Sequence, residues 1–189
     1  MAKRFAIVAL VLFASACAHV RPMSAGSHGG WPVLTPSSFG KTESAAQILR
    51  VAYGDREATL NCVVAVSPER IVVIGTTALG MRAFTIKYDG AKVQAEAQAG
   101  VPQAMEPERL LNDLQLVYWP LSAIQHALAN TEWEISEPAT HTRRLKHRGK
   151  LAAEVHYATD QDLALRGRAW LANLEFGYTL TIDSQISGP

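Results

Sequence analysis

Residues 174–183 read Leu-Glu-Phe-Gly-Tyr-Thr-Leu-Thr-Ile-Asp, and this stretch decides the fold. Leu174, Phe176, Tyr178, Leu180 and Ile182 share one side of a period of two, opposite Glu175, Thr179 and Asp183. An extended chain sends successive side chains to opposite faces, so the pattern predicts a strand with one packed and one wet face. The same period recurs upstream. Leu60, Cys62, Val64 and Val66 alternate with Thr59 and Asn61, and Phe84, Ile86 and Tyr88 alternate with Thr85 and Lys87. Val93, Ala95, Ala97 and Ala99 oppose Lys92, Gln94, Glu96 and Gln98, and Leu151, Ala153, Val155 and Tyr157 oppose Lys150, Glu154 and His156. Tyr88-Asp89-Gly90 and Arg148-Gly149-Lys150 carry hairpin-turn residues between such runs. The pattern is that of an antiparallel sheet.

The period becomes helical only between Pro107 and Asn130. Leu110, Leu111, Leu114 and Val117 form a stripe, and Pro107 suits a first helical turn. Trp119 precedes Pro120, which disfavours helix at Trp119 and divides the segment. Leu121, Ile124 and Leu128 make the face of a second short helix, with Asn130 as its stop. The expected plan is five strands, two short helices, and four or five further strands: a mainly β, α+β domain.

The first sixteen residues have a different purpose. Lys3 and Arg4 precede the apolar run Phe5–Phe13, and Ala14, Ser15 and Ala16 lead into Cys17. A basic start, a short apolar run and small residues make a secretory signal, too short to span a membrane as a helix. Ala14-Ser15-Ala16-Cys17 resembles a bacterial lipobox, in which the chain is cut before the cysteine and the thiol carries lipid, such as palmitate. Plain secretion is the alternative, since Ala14-x-Ala16 also fits an ordinary signal-peptidase site. Ala18 after the cysteine resembles the outer-membrane sorting pattern. The expected division is a signal peptide at 1–16, a lipidated cysteine with a flexible tether at 17–44, and a domain at 45–189. The tether is rich in Gly, Ser and Pro, although Trp31, Val33, Leu34 and Phe39 are apolar enough for its second half to lie on the domain.

Removing 1–16 from 189 residues leaves 173, enough for one domain with a core of useful size. It also removes Lys3 and Arg4 and no acid, so the formal charge falls from +1 to −1. A near-neutral chain has no global field to gather nucleic acid. Once Cys17 is acylated, Cys62 stands alone and no disulfide framework is possible.

Ten strands at ~4.8 Å spacing present nearly 50 Å of apolar face, and two helices of about 10 Å cover half of it. The rest must close on itself, meet another chain or line a hollow. The alanines at 95, 97 and 99 leave volume over the fifth strand. An incomplete antiparallel β-barrel lidded by two short helices accounts for these features; a fully packed sandwich is the alternative. The expected lining is Leu60, Val64, Phe84, Ile86, Tyr88, Ala95, Ala97, Tyr118, Trp119, Phe176, Tyr178 and Leu180.

Such a lidded half-barrel on a tethered lipoprotein resembles the LolA/LolB-type lipoprotein carriers. More specifically, Ala78-Leu79-Gly80-Met81-Arg82-Ala83-Phe84 with Tyr88-Asp89-Gly90, and Leu114-Gln115-Leu116-Val117-Tyr118-Trp119-Pro120, are similar to an uncharacterised family of small bacterial lipoproteins. The resemblance runs from about Ala45 to Ile182. Members occur with aryl-polyene lipid biosynthesis genes, which implies a part in moving or placing a lipid-like product at the outer membrane. In the outer-membrane carrier an exposed loop leucine serves handover; the resemblance offers Leu79 as its counterpart, and an ordinary apolar turn residue is the alternative.

The remaining chemistry-bearing residues point to packing. Cys62 shares the packed face with Leu60 and Val64, and a buried thiol without a base is inert. His28, His126, His141, His147 and His156 share no metal-ligand spacing, so no metal or other cofactor is expected. The basic run from His141 to Lys150 reads either as a headgroup-binding patch or as a solvated hairpin balanced by Glu154, Asp160 and Asp162. The sequence thus predicts a non-enzymatic lipoprotein on the outer membrane, with its domain in the periplasm. It would bind or transfer a lipid or acyl-type ligand, with a periplasmic carrier protein as a further partner. An assembly protein docking a partner on its open sheet face is the rival, and an enzyme acting on a lipid-linked substrate the third possibility.

Overall fold

The computed structural model describes residues 21–24, 30–98, 106–158 and 165–186. The lipobox-like segment with Cys17, and Ala99, Asp160 and Asp162, lie outside the described residues. The ten expected strands are present: β2 (Glu43–Tyr53), β3 (Arg56–Ser67), β4 (Arg70–Thr76), β5 (Arg82–Tyr88), β6 (Lys92–Ala97), β7 (Trp133–Ala139), β8 (Thr142–His147), β9 (Lys150–Tyr157), β10 (Gly167–Asn173) and β11 (Tyr178–Ile186). A four-residue strand, β1 (Arg21–Ser24), adds to the β6 edge. All neighbours are antiparallel, in the order β1-β6-β5-β4-β3-β2-β11-β10-β9-β8-β7. Pairing of β2 with β11 joins the two halves. The outermost strands, β1 and β7, do not pair, so the sheet is open, as the half-barrel reading expects.

The turns form where the sequence places them. Arg148 and Gly149 both take positive φ, 52° and 74°, the two left-handed positions of a tight hairpin turn. Asp89 folds its own turn, its Oδ1 accepting the amides of Ala91 at 2.9 Å and Lys92 at 2.7 Å.

Two expectations of strand register need correction. The chain from Leu174 to Ile182 is not one strand: β10 ends at Asn173 and β11 begins at Tyr178. The intervening residues turn, with Gly177 at φ 71° and its amide donating to the Asn173 carbonyl at 2.9 Å. Leu174 is therefore exposed. In β9, Leu145 faces Ala153 while Lys146 faces Leu151, so Ala152 is an extra residue in a bulge. One extra residue reverses the facing of what precedes it, which places Leu151 in solvent and leaves Ala153 and Val155 inside.

α1 (Pro107–Tyr118) and α2 (Leu121–Leu128) lie on the concave face, separated by Trp119 and Pro120 in extended conformation. Among the described residues, no helix is long and apolar enough to cross a membrane. From Leu110 to Tyr118 every α1 residue is buried, because the helix has cover on both sides. One side is the sheet. The other is a strap, residues 30–42, the second half of the expected tether, lying on the domain as its apolar residues suggested. Trp31, Leu34 and Phe39 enter the core, and Pro36–Phe39 make a 3-10 turn. Apolar side chains at these positions supply a burial energy that Gly, Ser and Pro content does not report.

The strap is clasped to α1 by side chains at 112, 115 and 119, which share a helix face. Asn112 Nδ2 donates to the Trp31 carbonyl at 2.8 Å. The Gln115 amide donates to the Leu34 carbonyl and accepts the Leu34 N–H, both at 2.8 Å. Trp119 Nε1 donates to Ser38 Oγ at 2.8 Å. The other side of α1 is fixed to the sheet at its C-terminal end, where helix carbonyls lack internal partners. Arg143, 2 % exposed, donates to the carbonyls of Leu116 at 2.8 Å and Trp119 at 2.9 Å. Tyr157 Oη donates to the Val117 carbonyl at 2.8 Å.

Candidate functional site

Arg143 also settles most of the basic run. Its remaining nitrogens reach Glu137 Oε1 at 3.0 and 2.7 Å. Arg144 pairs with Glu154, Arg148 with Glu132 at 2.6 Å, and His147 stacks on Trp133 with centroids 4.1 Å apart. The run is a paired hairpin rather than an open cationic patch. Cys62 is buried, and burial pushes its thiol up to about 12, so it holds its proton at neutral pH. No three His, Cys, Asp or Glu side chains among the described residues group as a metal site.

The expected lining residues are not brought together around one hollow. Leu60, Val64, Phe84, Ile86, Tyr88, Tyr118, Trp119, Tyr178 and Leu180 are buried in packed core. The Phe84 ring occupies the space over Gly75, where an added Cβ would come within 2.3 Å of it. On β6 the cover runs out along the strand: Val93 is buried, Ala95 half-buried and Ala97 exposed. Ala95 and Ala97 thus stand at the margin of the cover over this strand. Leu79 is 85 % exposed in the β4–β5 loop, beside Met81, also exposed.

The hollow lies at the other half of the sheet. A cavity of about 310 Å³ opens between the strap, α1 and strands β7–β10. Of the expected lining only Phe176 belongs to it. Its apolar walls are Trp31, Val33, Leu116, Trp133, Leu145 and the paired alanines 152 and 153. The β9 bulge makes that pair possible, since two successive residues of a regular strand do not face one way. The Ala152 carbonyl accepts the Leu174 amide at 2.8 Å and the Glu175 amide at 3.2 Å, which holds the β10–β11 turn at the cavity wall.

The polar end is built around Asp113, 4 % exposed. Tyr178 Oη donates to Asp113 Oδ2 at 2.5 Å, and Asn173 Nδ2 lies 3.3 Å from Oδ1 and 3.0 Å from Tyr178 Oη. Burial raises the Asp113 carboxyl to about 7, against the lowering by the Tyr178 and Asn173 hydrogen bonds and the Arg109 charge. Tyr178 is pushed well above the usual phenol range, first by burial and then by the Asp113 charge. Arg109 stands over the Phe176 ring, 3.7 Å from its centroid, and pairs with Glu106 at 3.1 Å. Asn112, Asp113, Asn173 and Glu108 were not among the residues expected from sequence. For Asn112 and Asp113 the signal was the apolar Leu116 set among the polar residues 112, 113 and 115 of α1; Glu108 and Asn173 gave none.

The arrangement defines a class: an open antiparallel sheet with two helices and a clasped strap beside a cavity. Within that class the chain belongs to the family of proteins of unknown function DUF3261, whose model matches residues 44–186. The match begins just after the strap. No curated protein matches the sequence. Among solved structures, a crystal structure named as an outer membrane lipoprotein-sorting protein domain from Vibrio parahaemolyticus is similar, at 7 % identity and a TM-score of 0.48. The similarity covers 77 % of this chain and 85 % of that one.

Proposed function

We propose that the protein is a non-enzymatic lipoprotein of the bacterial outer membrane that binds and hands on a hydrophobic, lipid-like ligand. The observation that carries this reading is the cavity of about 310 Å³, walled by aromatic and aliphatic side chains under the strap. Its volume falls at the lower end of the range of small-molecule pockets. Acyl-chain transfer between apolar surroundings runs on differential burial and needs no covalent step or cofactor. In this reading residues 1–16 are the signal peptide and Cys17 carries the anchor. Three residues separate Cys17 from Arg21, where β1 pairs with the β6 edge, a span of about 14 Å at full extension. The domain is thus held close to the bilayer surface, in the periplasm, by the β6 edge of its sheet. Leu79, with 85 % of its surface free, serves as the apolar contact with a membrane or a carrier protein during handover. The motif resemblance to lipoproteins found with aryl-polyene genes nominates an aryl-polyene lipid as the ligand class.

Native mass spectrometry tests this: the protein should retain a lipid-sized adduct, and Ala153→Phe, which fills the cavity, should lose it while melting within a few degrees of wild type. An adduct unaffected by Ala153→Phe would reject the cavity as the binding place. A second reading rests on Ile48 and Val63, exposed on the outer face of β2 and β3, where a protein partner would dock. Retention of a protein and no lipid from the envelope fraction, lost in Val63→Lys, would favour it.

A further inference from the structure

The polar end of the cavity holds more hydrogen-bond acceptors than the protein itself uses. Four carboxyl groups line it, from Glu106, Glu108, Asp113 and Glu175, against the single guanidinium of Arg109. Three of the four have partners. Glu106 pairs with Arg109, Asp113 is held by Tyr178 and Asn173, and Glu175 Oε1 meets His147 Nδ1 at 3.2 Å. Two acceptors are left over: Glu108 Oε1 and Asn112 Oδ1 are buried without a hydrogen-bond partner. They stand one turn apart on α1, and Asn112 is only 7 % exposed, its Nδ2 already committed to the Trp31 carbonyl. A buried acceptor without a donor is uncommon and costly in folded proteins, so a pair of them in a cavity points to a donor supplied from outside.

The aromatic walls narrow the choice. Trp31, Trp133 and Phe176 line the same cavity, and the face of an aromatic ring attracts a cation. Arg109 already uses one face of Phe176 and His147 one face of Trp133, which leaves Trp31 and the second face of Trp133. An anionic head would face the carboxyl groups and two unpaired acceptors. A neutral hydroxyl would satisfy one acceptor and gain little from the rings. A group that is both cationic and rich in N–H donors suits all three features.

Building on the lipid-cavity reading above, we propose that the polar end of the ligand is an ammonium group, seated between Glu108, Asn112 and the indoles of Trp31 and Trp133. The ligand class is then an amine-bearing amphiphile.

Three probes with the same chain test it: octylammonium, octanol and octyl sulfate, titrated into the full-length chain with tryptophan fluorescence as the readout. The expected order is octylammonium tightest by roughly tenfold over octanol, with octyl sulfate weakest. Glu108→Gln should remove roughly that tenfold from octylammonium, leave octanol unchanged and melt like wild type. Equal binding of octylammonium and octanol, or tightest binding of octyl sulfate, would overturn the headgroup assignment and leave the cavity reading standing. Failure of all three to bind would overturn both. Should Glu108→Gln misfold, the order of the three probes on the wild-type protein decides alone.

Discussion

Replacing Asp113 with Asn is the sharpest probe of the cavity's polar end. The fold holds this carboxyl with a pKa of about 7, against 3.8 for the ordinary group. The sign follows from where the proton sits. Between those two values the folded protein keeps a proton that the unfolded chain has released, so stability falls as pH rises and levels off above about 7. Each pH unit in that window is about 1.36 kcal/mol. From pH 5 to full ionisation, some two units, wild type should lose about 3 kcal/mol through this one group. Asp113→Asn cannot titrate and should lose none of it. The amide can still accept from Tyr178, while its NH2 opposes the Asn173 donor, a constant cost of about 1 kcal/mol that does not change the slope. Urea unfolding at pH 5, 6, 7 and 8.5, followed by tryptophan fluorescence, measures both proteins, and every other titrating group cancels in the difference. The variant should be the weaker at pH 5 and the stronger at pH 8.5. Parallel curves over that range would refute the burial argument for Asp113.

Other perturbations test the strap, the packed half and the loop. Gln115→Ala removes both hydrogen bonds to Leu34 and should cost about 1–3 kcal/mol, with faster hydrogen exchange at the Leu34 amide; unchanged exchange would show that the apolar contacts alone hold the strap. Gly75→Ala sets a Cβ against the Phe84 ring and should destabilise by about 1–3 kcal/mol; pairing it with Phe84→Leu should recover part of the loss, and strict additivity in the double-mutant cycle would count against the contact. Leu79→Glu should leave the melting temperature and equilibrium lipid binding unchanged, because the side chain is 85 % exposed, while slowing lipid transfer from liposomes; equal transfer rates would make Leu79 an ordinary turn residue.

How much of this was legible in the sequence differs between the sheet and the cavity, for one physical reason. A strand's alternation is local: Leu60, Cys62, Val64 and Val66 declare a common face without reference to any other part of the chain, and that face is buried. Turns are local too, so Asp89 and Arg148-Gly149 could be placed by residue type. The breaks in alternation were less visible. Leu174 and Phe176 continue the period of β11 across a turn that Gly177 makes possible, and Ala152 shifts the facing of Leu151 with no change in composition. Alternation also says which residues share a face but not how far the cover over it extends. Val93, Ala95 and Ala97 share one face and grade from buried to exposed along a single strand.

The cavity depends on contacts between distant segments. Asn112 and Gln115 meet strap residues 81 positions away, and Asp113 meets Tyr178 across 65. Yet one trace of it was present. A surface helix needs a wet stripe, and its polar residues should gather there. In α1 the polar residues 112, 113 and 115 do gather, within about 160° of the axis at about 100° per residue and opposite the Leu110-Leu111-Leu114-Val117 stripe, but Leu116 stands among them. An apolar side chain in the middle of that arc signals cover over it, so its polar neighbours had to find partners within the protein. Asn112 and Gln115 found them in the strap and Asp113 in the sheet. A helix held by polar contacts on two sides cannot settle fully onto either. With the strap drawn to one side of α1 and the bulged β9 on the other, the space between them is the cavity.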